Sequence, residues 1–158
     1  MCAQKCERRL FNTVLSVSVL LQAPWDCILS NRASKYVSSP TFIVESGVDK
    51  LQVEEHGNVP NPMYWAIHWV EVRAYLLDWH ANMSANLAQS MRSDSPNGVF
   101  FPACYMHTTF TRKSPLIGGI SFVKAFTNWF YRRTPSTKLA DTCGILCNPT
   151  CPKSSWGY

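Results

Sequence analysis

The sequence has few charged residues for its length. Only 16% of its 158 residues are Asp, Glu, Lys or Arg, although 46% are hydrophobic and 13% are aromatic. A composition this apolar excludes intrinsic disorder and is typical of a globular chain of about one domain. The six Trp, six Tyr and eight Phe residues indicate either a large core or a surface that normally meets further protein.

The sequence also lacks a basic stripe and a long apolar run. The net charge of +5 is spread thinly along the chain. No series of Lys and Arg alternates with stacking aromatic residues, so we expect no nucleic-acid partner. The apolar stretch at residues 10–21 is too short and too polar to cross a bilayer, so we expect no transmembrane span.

Residues 1–24 form an N-terminal apolar segment that has the order of a secretory signal. Basic residues precede the apolar stretch, as they do in signal peptides. However, Pro24 disfavours cleavage, and Cys2 and Cys6 are unusual in such a segment. An ordinary buried helix or strand is the second interpretation. We therefore divide the chain into residues 1–24 and a main domain at residues 25–158.

The seven cysteines contain no C-x2-C pair, the spacing that zinc sites usually show, so we expect no metal. Disulfides in an oxidising compartment are the favoured use. The odd number leaves one cysteine without a partner inside the chain. The sequon at Asn82 agrees with secretion and is a glycosylation candidate. In the main domain the disulfide candidates are Cys27, Cys104, Cys143, Cys147 and Cys151.

Short apolar segments alternate with helical patterns through the middle of the chain. Residues 40–47 have a Pro entry, a β-branched centre and a Gly exit, which predict a strand buried on both faces. Apolar residues recur at threes and fours over residues 64–91 and predict a long helix. A second strand at residues 99–104 and a second amphipathic helix at residues 122–130 follow. This order predicts an α/β fold with parallel strands and covering helices.

An Asp and a His follow the two predicted strands. Asp49 comes two residues after Gly47, and His107 comes three residues after Cys104. Active sites of open α/β sheets lie beyond the carboxyl ends of the strands. In a Ser-His-Asp hydrolase the Asp fixes the His tautomer, and α/β hydrolases place the Asp before the His in the chain. The alternatives are a solvated turn or helix cap for Asp49 and a structural role for His107.

Three segments carry a family resemblance. Residues 98–107 (GVFFPACYMH) resemble the catalytic-histidine segment of the pectin acetylesterase family, which includes the Notum carboxylesterases. Residues 40–52 (PTFIVESGVDKLQ) are similar to the acid segment of that family. The motif NWFY at residues 128–131 and the cysteine-rich tail at residues 143–152 resemble its closing helix and tail. The resemblance covers about residues 27–152.

The resemblance implies the C-terminal part of an α/β-hydrolase fold that hydrolyses carboxylic esters. It implies Asp49 as the acid and His107 as the general base, with no cofactor. It also implies an acetylated cell-wall polysaccharide or another acyl ester as substrate, and a secreted or cell-wall location.

Two departures from the family pattern limit what this chain is expected to do. Thr108 stands where plant members commonly have a second Cys. The nucleophile motif Gly-x-Ser-x-Gly is absent, and Ser121 follows His107 and lacks the second Gly, so we reject it as nucleophile. Two hypotheses stay open for this polypeptide. It is part of an ester hydrolase, or it is a catalytically inactive remnant or a secreted, disulfide-held interaction module.

A parallel sheet without its early strands exposes an edge and apolar surface. We therefore predict that the chain associates with itself through that edge.

Overall fold

The computed structural model describes residues 37–59, 68–107, 114–133 and 137–152. The chain divides into two compact units, residues 1–41 and residues 42–158. In the first unit the described residues 37–41 are irregular and exposed, and Thr41 Oγ1 donates to the carbonyl oxygen of Ser39 at 3.2 Å. The predicted N-terminal segment and Cys27 lie outside the described residues, so their roles and the proposed domain boundary stay predictions.

The second unit contains seven short strands and two α-helices among its described residues. Their order is β1 (Phe42–Val44), β2 (Val48–Asp49), a π-helix (Gln52–His56), α1 (Trp69–Met91), β3 (Gly98–Phe101), β4 (Tyr105–Met106), β5 (Leu116–Ile117), β6 (Ile120–Ser121), α2 (Phe122–Phe130) and β7 (Lys138–Ala140). Each α-helix lies between groups of strands, which follows the strand, helix, strand, helix order that the sequence predicts.

The main sheet is parallel, with the strand order β1-β3-β7. Strands β2 and β4 form a second parallel pair, whereas β5 and β6 form a small antiparallel pair. Helix α1 lies in the connection to β3, and α2 lies in the connection to β7. The predicted α/β class, with parallel strands and covering helices, is confirmed.

The β2–β4 pair continues the β1–β3 pair after an irregular step. From Val44 to Val48 the first segment advances four residues, whereas its partner advances five, from Phe100 to Tyr105. The extra residue lies in the segment around Pro102, which has no N–H group for the ladder. Such bulges redirect a strand and often lie beside active sites. The single strand predicted at residues 99–104 is therefore wrong in its bounds, since β3 ends before Pro102.

The alternation of side chains along β3 separates the core into two layers. Val99 and Phe101 pack with Leu87 of α1. Phe100 points to the other face and packs with Ala125 of α2. Because successive strand residues face opposite sides, β3 is covered by one helix on each face and all four of its residues are buried.

The burial of strand β1 differs from the prediction. The sequence predicted a strand buried on both faces over residues 40–47, but all three residues of β1 are half-buried. The physical reason is position, because β1 lies at the edge of the described sheet and β3 lies at its centre. A short β-branched run does not distinguish the two positions.

Helix α1 begins at Trp69, after His68 as the N-cap residue. Residues 60–67, which include the start of the predicted helix, lie outside the described residues. Val72, Leu76 and Leu87 are buried, which confirms the period of threes and fours. Trp69, in the first turn of the helix, is 43% exposed. No described helix is long and apolar enough to cross a membrane.

Helix α2 matches its predicted bounds because its start is capped. Ser121 has extended backbone angles, and its Oγ accepts a hydrogen bond from the Lys124 N–H at 3.4 Å. This is the usual N-cap arrangement. Close packing also explains Gly98 at the start of β3, because a Cβ atom there would lie 2.3 Å from the ring of Phe42.

Candidate active site

The two predicted site residues lie side by side at the carboxyl ends of β2 and β4. Asp49 is the last residue of β2 and is paired in register with Met106. His107 follows Met106 directly. Its Nδ1 lies 2.8 Å from Asp49 Oδ2. The structure thus brings together two residues that are 58 positions apart in sequence, at the sheet edge where α/β active sites lie.

Asp49 is held by both of its oxygens. Its Oδ2 contacts His107, and its Oδ1 accepts a hydrogen bond from the Gln52 N–H at 2.9 Å. The second bond caps the helical segment that begins after β2. Asp49 therefore combines the two roles that the sequence left as alternatives, a helix cap and a partner of His107.

Burial differs between the two partners. The Asp49 side chain is 6% exposed, whereas the His107 side chain is 38% exposed. The carboxylate is therefore fixed inside the protein, and part of the imidazole ring reaches the surface. Because Nδ1 is committed to Asp49, Nε2 is the ring nitrogen that can exchange a proton with a reacting group.

The turn before β2 is held by buried contacts. The Ser46 hydroxyl donates to the Cys104 carbonyl oxygen at 2.6 Å. His80 of α1 lies against the turn, with its Nδ1 3.2 Å from the Gly47 carbonyl oxygen and its ring stacked on Phe101. A Cβ atom at Gly47 would lie 3.0 Å from His80 Nδ1. Glycine therefore allows α1 to approach the backbone just before Asp49.

A disulfide and a polar clamp hold the segment before His107. Cys104 is bonded to Cys151. The Ala103 N–H donates to Asp141 Oδ2 at 2.8 Å, and Asn148 Nδ2 donates to the same oxygen at 2.7 Å. These bonds attach β4 to the C-terminal tail, because Pro102 interrupts the strand ladder there.

The second disulfide joins Cys143 and Cys147, so four of the five disulfide candidates are paired in the structure. The described residues contain no group of three or more His, Cys, Asp or Glu side chains that could hold a metal. Asn82 is exposed on α1.

Glu45 is a site residue that sequence reasoning missed. It follows β1, is half-buried, and accepts the Ser46 N–H on Oε1 at 3.0 Å. Burial raises its pKa from 4.5 to about 7, the Ser46 N–H opposes this rise, and the neighbouring Asp49 carboxylate adds to it. An acidic residue at the end of an apolar strand, four positions before Asp49, is the sequence signal that would have identified it.

In the strand that precedes His107, the Tyr105 hydroxyl donates a hydrogen bond to Glu54 Oε1. Burial and this bond raise the pKa of Tyr105, so the hydroxyl stays protonated. The contact ties β4 to the π-helix that follows Asp49.

A separate pocket of about 370 Å³ lies between α1 and the tail. Trp69, Arg73 and Leu77 line it from the helix, and residues 143–146 line it from the tail. Neither Asp49 nor His107 belongs to its lining.

The chain is similar to known proteins in both sequence and fold. The family model for pectinacetylesterase matches residues 6–152. Pectin acetylesterase 11 of Arabidopsis thaliana is 23% identical over 146 residues, and pectin acetylesterase 7 of the same plant is 26% identical over 148 residues. Each match covers 82% of this chain and 37% of the relative.

Among solved structures, the Wnt deacylase Notum from Drosophila has a similar fold, with a TM-score of 0.65 at 18% sequence identity. The match covers 95% of this chain and 38% of the Notum chain. This chain therefore spans less than two fifths of the length of each of these proteins.

Proposed function

The chain belongs to the pectinacetylesterase family, and on that premise we propose that it carries the acid and the base of a carboxylic-ester hydrolase. The proposed substrate is an acetylated cell-wall polysaccharide or another acyl ester. Both kinds of relative are named for removing acyl groups, as pectin acetylesterases and as a Wnt deacylase. The observation that carries the proposal is the 2.8 Å contact between His107 Nδ1 and Asp49 Oδ2.

In the proposed mechanism His107 is the general base. Its Nε2 takes the proton of a serine hydroxyl as the oxygen attacks the ester carbonyl, and it then returns the proton to the leaving alcohol. Asp49 holds the ring in the required tautomer and stabilises the imidazolium. The Gln52 N–H bond to Asp49 Oδ1 keeps the carboxylate oriented. The serine and the oxyanion hole are not supplied by any Gly-x-Ser-x-Gly motif of this sequence.

The first step of the test is to read the coding sequence immediately upstream of the segment that encodes this chain. If an in-frame Gly-x-Ser-x-Gly is encoded there, the protein that includes it should release acetate from acetylated pectin. Removal of one triad member typically lowers kcat by about 10⁴-fold or more, so we expect such a loss for His107→Ala and for Asp49→Asn. Gln89→Lys, at an exposed position of α1, is the control and should retain activity. Turnover that survives His107→Ala contradicts the proposal.

The 158-residue chain alone has a different expected result. It should hydrolyse p-nitrophenyl acetate no faster than its His107→Ala variant, because the nucleophile and the oxyanion hole provide most of the acceleration. The second candidate function, an inactive remnant or a disulfide-held interaction module, is favoured by the absence of a Gly-x-Ser-x-Gly motif from this sequence. Absence of the motif upstream would support it.

We also propose that the protein is secreted. The two disulfides among the described residues support this location, because disulfides persist in oxidising compartments. Asn82 is exposed, as a glycan acceptor requires. Protein secreted from eukaryotic cells should lose mass on treatment with an N-glycosidase, and Asn82→Gln should abolish that loss. An unchanged mass, together with retention of the protein inside the cell, contradicts the proposal.

A further inference from the structure

The pocket of about 370 Å³ between α1 and the tail has no role in the proposed ester chemistry. From α1 it is lined by Trp69, Arg73 and Leu77, which lie four residues apart and so share one face of the helix. All three residues are exposed. The volume lies within the range of small-ligand pockets, roughly 300–1,000 Å³. The pocket is therefore large enough for a small ligand and is reached from solvent.

The opposite wall is a short loop that the second disulfide closes, at residues 143–147. Within this loop Gly144 and Leu146 have positive φ angles of 100° and 54°. A left-handed backbone is unusual for a leucine and persists only where the surrounding structure fixes it. Ile145 and Leu146 pack against the core cluster that includes Val48 of β2. The disulfide and this packing hold the wall in place against the core that supports β2.

Arg73 is the one charged side chain in the described lining of the pocket. It has no ion-pair partner among the residues that the structure describes. The positions three and four residues away on α1 are all apolar, namely Trp69, Val70, Leu76 and Leu77. Because these positions are the neighbours of Arg73 on the helix surface, no carboxylate of α1 lies beside the guanidinium.

The acidic residues closest to the pocket in sequence do not neutralise this charge. Glu71 lies two positions and Asp78 five positions from Arg73, so both lie on other sides of α1. Asp141, which precedes the disulfide loop, accepts two hydrogen bonds on Oδ2 from within the protein. The described lining therefore combines an uncompensated positive charge with an exposed indole ring.

An indole and a guanidinium on one helix face match the chemistry of a carboxylated sugar. The planar guanidinium fork can bind both oxygens of a carboxylate, and the flat indole can cover the apolar C–H face of a pyranose ring. We propose that this pocket binds a uronic acid unit of an acidic polysaccharide, with the carboxylate on Arg73 and the sugar ring on Trp69. The ester that is cleaved belongs to another unit of the same polymer. The choice of polymer rests on the proposed function, whereas binding in the pocket does not depend on turnover.

The experiment measures binding of a galacturonate trimer to the 158-residue chain by ligand-observed NMR titration. The wild-type chain should bind the trimer, and an increase in NaCl from about 20 mM to about 500 mM should weaken binding several-fold, because salt screens an exposed charge. A neutral galactose trimer should bind about tenfold more weakly, since it lacks the charge-assisted hydrogen bonds. Equal binding of the two trimers overturns the proposal.

Variants of the lining test where the trimer binds. Arg73→Gln should lower the affinity about tenfold, and Trp69→Ala should lower it by a similar factor. Arg92→Gln is the matched control, because it removes the same charge beyond the far end of α1, where Arg92 pairs with Asp94. Its affinity should equal that of the wild type. If Arg73→Gln weakens binding no more than Arg92→Gln does, the proposal is wrong.

A second pair of variants decides the question if Arg73→Gln does not fold. Leu77→Glu places a carboxylate four residues from Arg73 at an exposed position of the lining. It should occupy the guanidinium through an ion pair and weaken binding about tenfold. Gln89→Glu adds the same charge at an exposed position outside the pocket and should leave the affinity unchanged. Equal affinities of these two variants contradict the proposal.

Kinetics of the longer protein that supplies the serine separate this proposal from the esterase proposal. His107→Ala should abolish turnover but bind the trimer as the wild type does. Arg73→Gln should raise KM for acetylated pectin about tenfold, with a much smaller effect on kcat, because the lost contact is made equally in the ground state and the transition state. An unchanged KM overturns the role of the pocket in substrate binding. Trimer binding that depends on Arg73 in a protein without turnover contradicts only the esterase proposal.

Discussion

At the scale of single residues, the carboxyl group of Asp49 connects local structure to chemistry. One oxygen caps a helical segment through the Gln52 N–H, and the other contacts His107. The cap comes from neighbours in sequence, whereas the contact to His107 requires that β2 and β4 pair in the correct register. In the observed register Asp49 pairs with Met106, so His107 lies one residue beyond the paired position, and a different register would change the distance between the two side chains.

Glu45 gives the protein a predicted pH dependence of stability. Its pKa rises from 4.5 to about 7 on folding, so the native state holds a proton that the unfolded chain releases. Stability is therefore lost as pH rises from about 4.5, and the loss is complete above pH 7. Glu45→Gln should unfold in urea like the wild type at pH 4.5, but it should be more stable by up to about 3 kcal/mol at pH 8. A stability difference that is the same at both pH values would contradict this.

At the scale of elements, the segment that carries His107 depends on its attachment to the tail. Pro102 ends the β3 ladder, and the next residues bond to Asp141 and Asn148 instead. The disulfide between Cys104 and Cys151 closes a sequence separation of 47 residues. The other disulfide, between Cys143 and Cys147, closes a separation of four.

The two disulfides should contribute unequally to stability. In the chain-entropy model the loop closed by Cys104–Cys151 contributes about 4 kcal/mol to the free energy of unfolding, and the loop closed by Cys143–Cys147 contributes about 2 kcal/mol. Replacing Cys104 and Cys151 by Ala should therefore lower the free energy of unfolding about twice as much as replacing Cys143 and Cys147. Urea unfolding monitored by Trp fluorescence measures both losses. Equal losses would show that loop entropy is not the main contribution.

Sequence patterns predicted where helices and strands occur better than they predicted how deeply each element is buried. Helix α2 was predicted within its bounds, since Ser121 caps it and its apolar residues have a helical period. The burial of β1 was predicted wrongly, because a short apolar run has no signal for the edge of a sheet. The break at Pro102 was missed, although proline lacks the N–H that a continuous strand needs.

At the scale of the whole molecule, an apolar surface continues from β1 to α2. The ring centroids of Phe42 and Phe126 are 5.4 Å apart, and the stacked rings of Phe126 and Phe130 have centroids 5.9 Å apart. Phe130 and Tyr131 are 61% and 62% exposed. In the described sheet β1 is an edge strand. Exposed edges and aromatic patches of this kind favour association.

We therefore predict that the chain associates with itself at micromolar concentration, as measured by light scattering after size exclusion. Phe130→Lys should reduce the associated fraction, because it places a charge in the aromatic surface. Gln89→Lys adds the same charge at an exposed position of α1 and should leave association unchanged. A monodisperse wild-type monomer would show that the prediction is wrong.

The sequence by itself determined the class of fold, the family and the identity of the Asp and His candidates. These follow from local properties, namely the period of apolar residues, the order of strand and helix, and short motifs around residues 40–52 and 98–107. The disulfide candidates followed from counting and spacing, but the sequence left their pairing open.

Only the tertiary structure decided which of these residues meet. The register of β2 on β4 places His107 against Asp49 across 58 positions, and no local pattern encodes that distance. The same packing buries Glu45 beside Asp49 and changes its ionisation. Ionisation depends on the dielectric environment and on neighbouring charges, which exist only after distant segments have packed. Asp49 and His107 could thus be predicted from sequence as two residues, whereas the burial and the raised pKa of Glu45 could not.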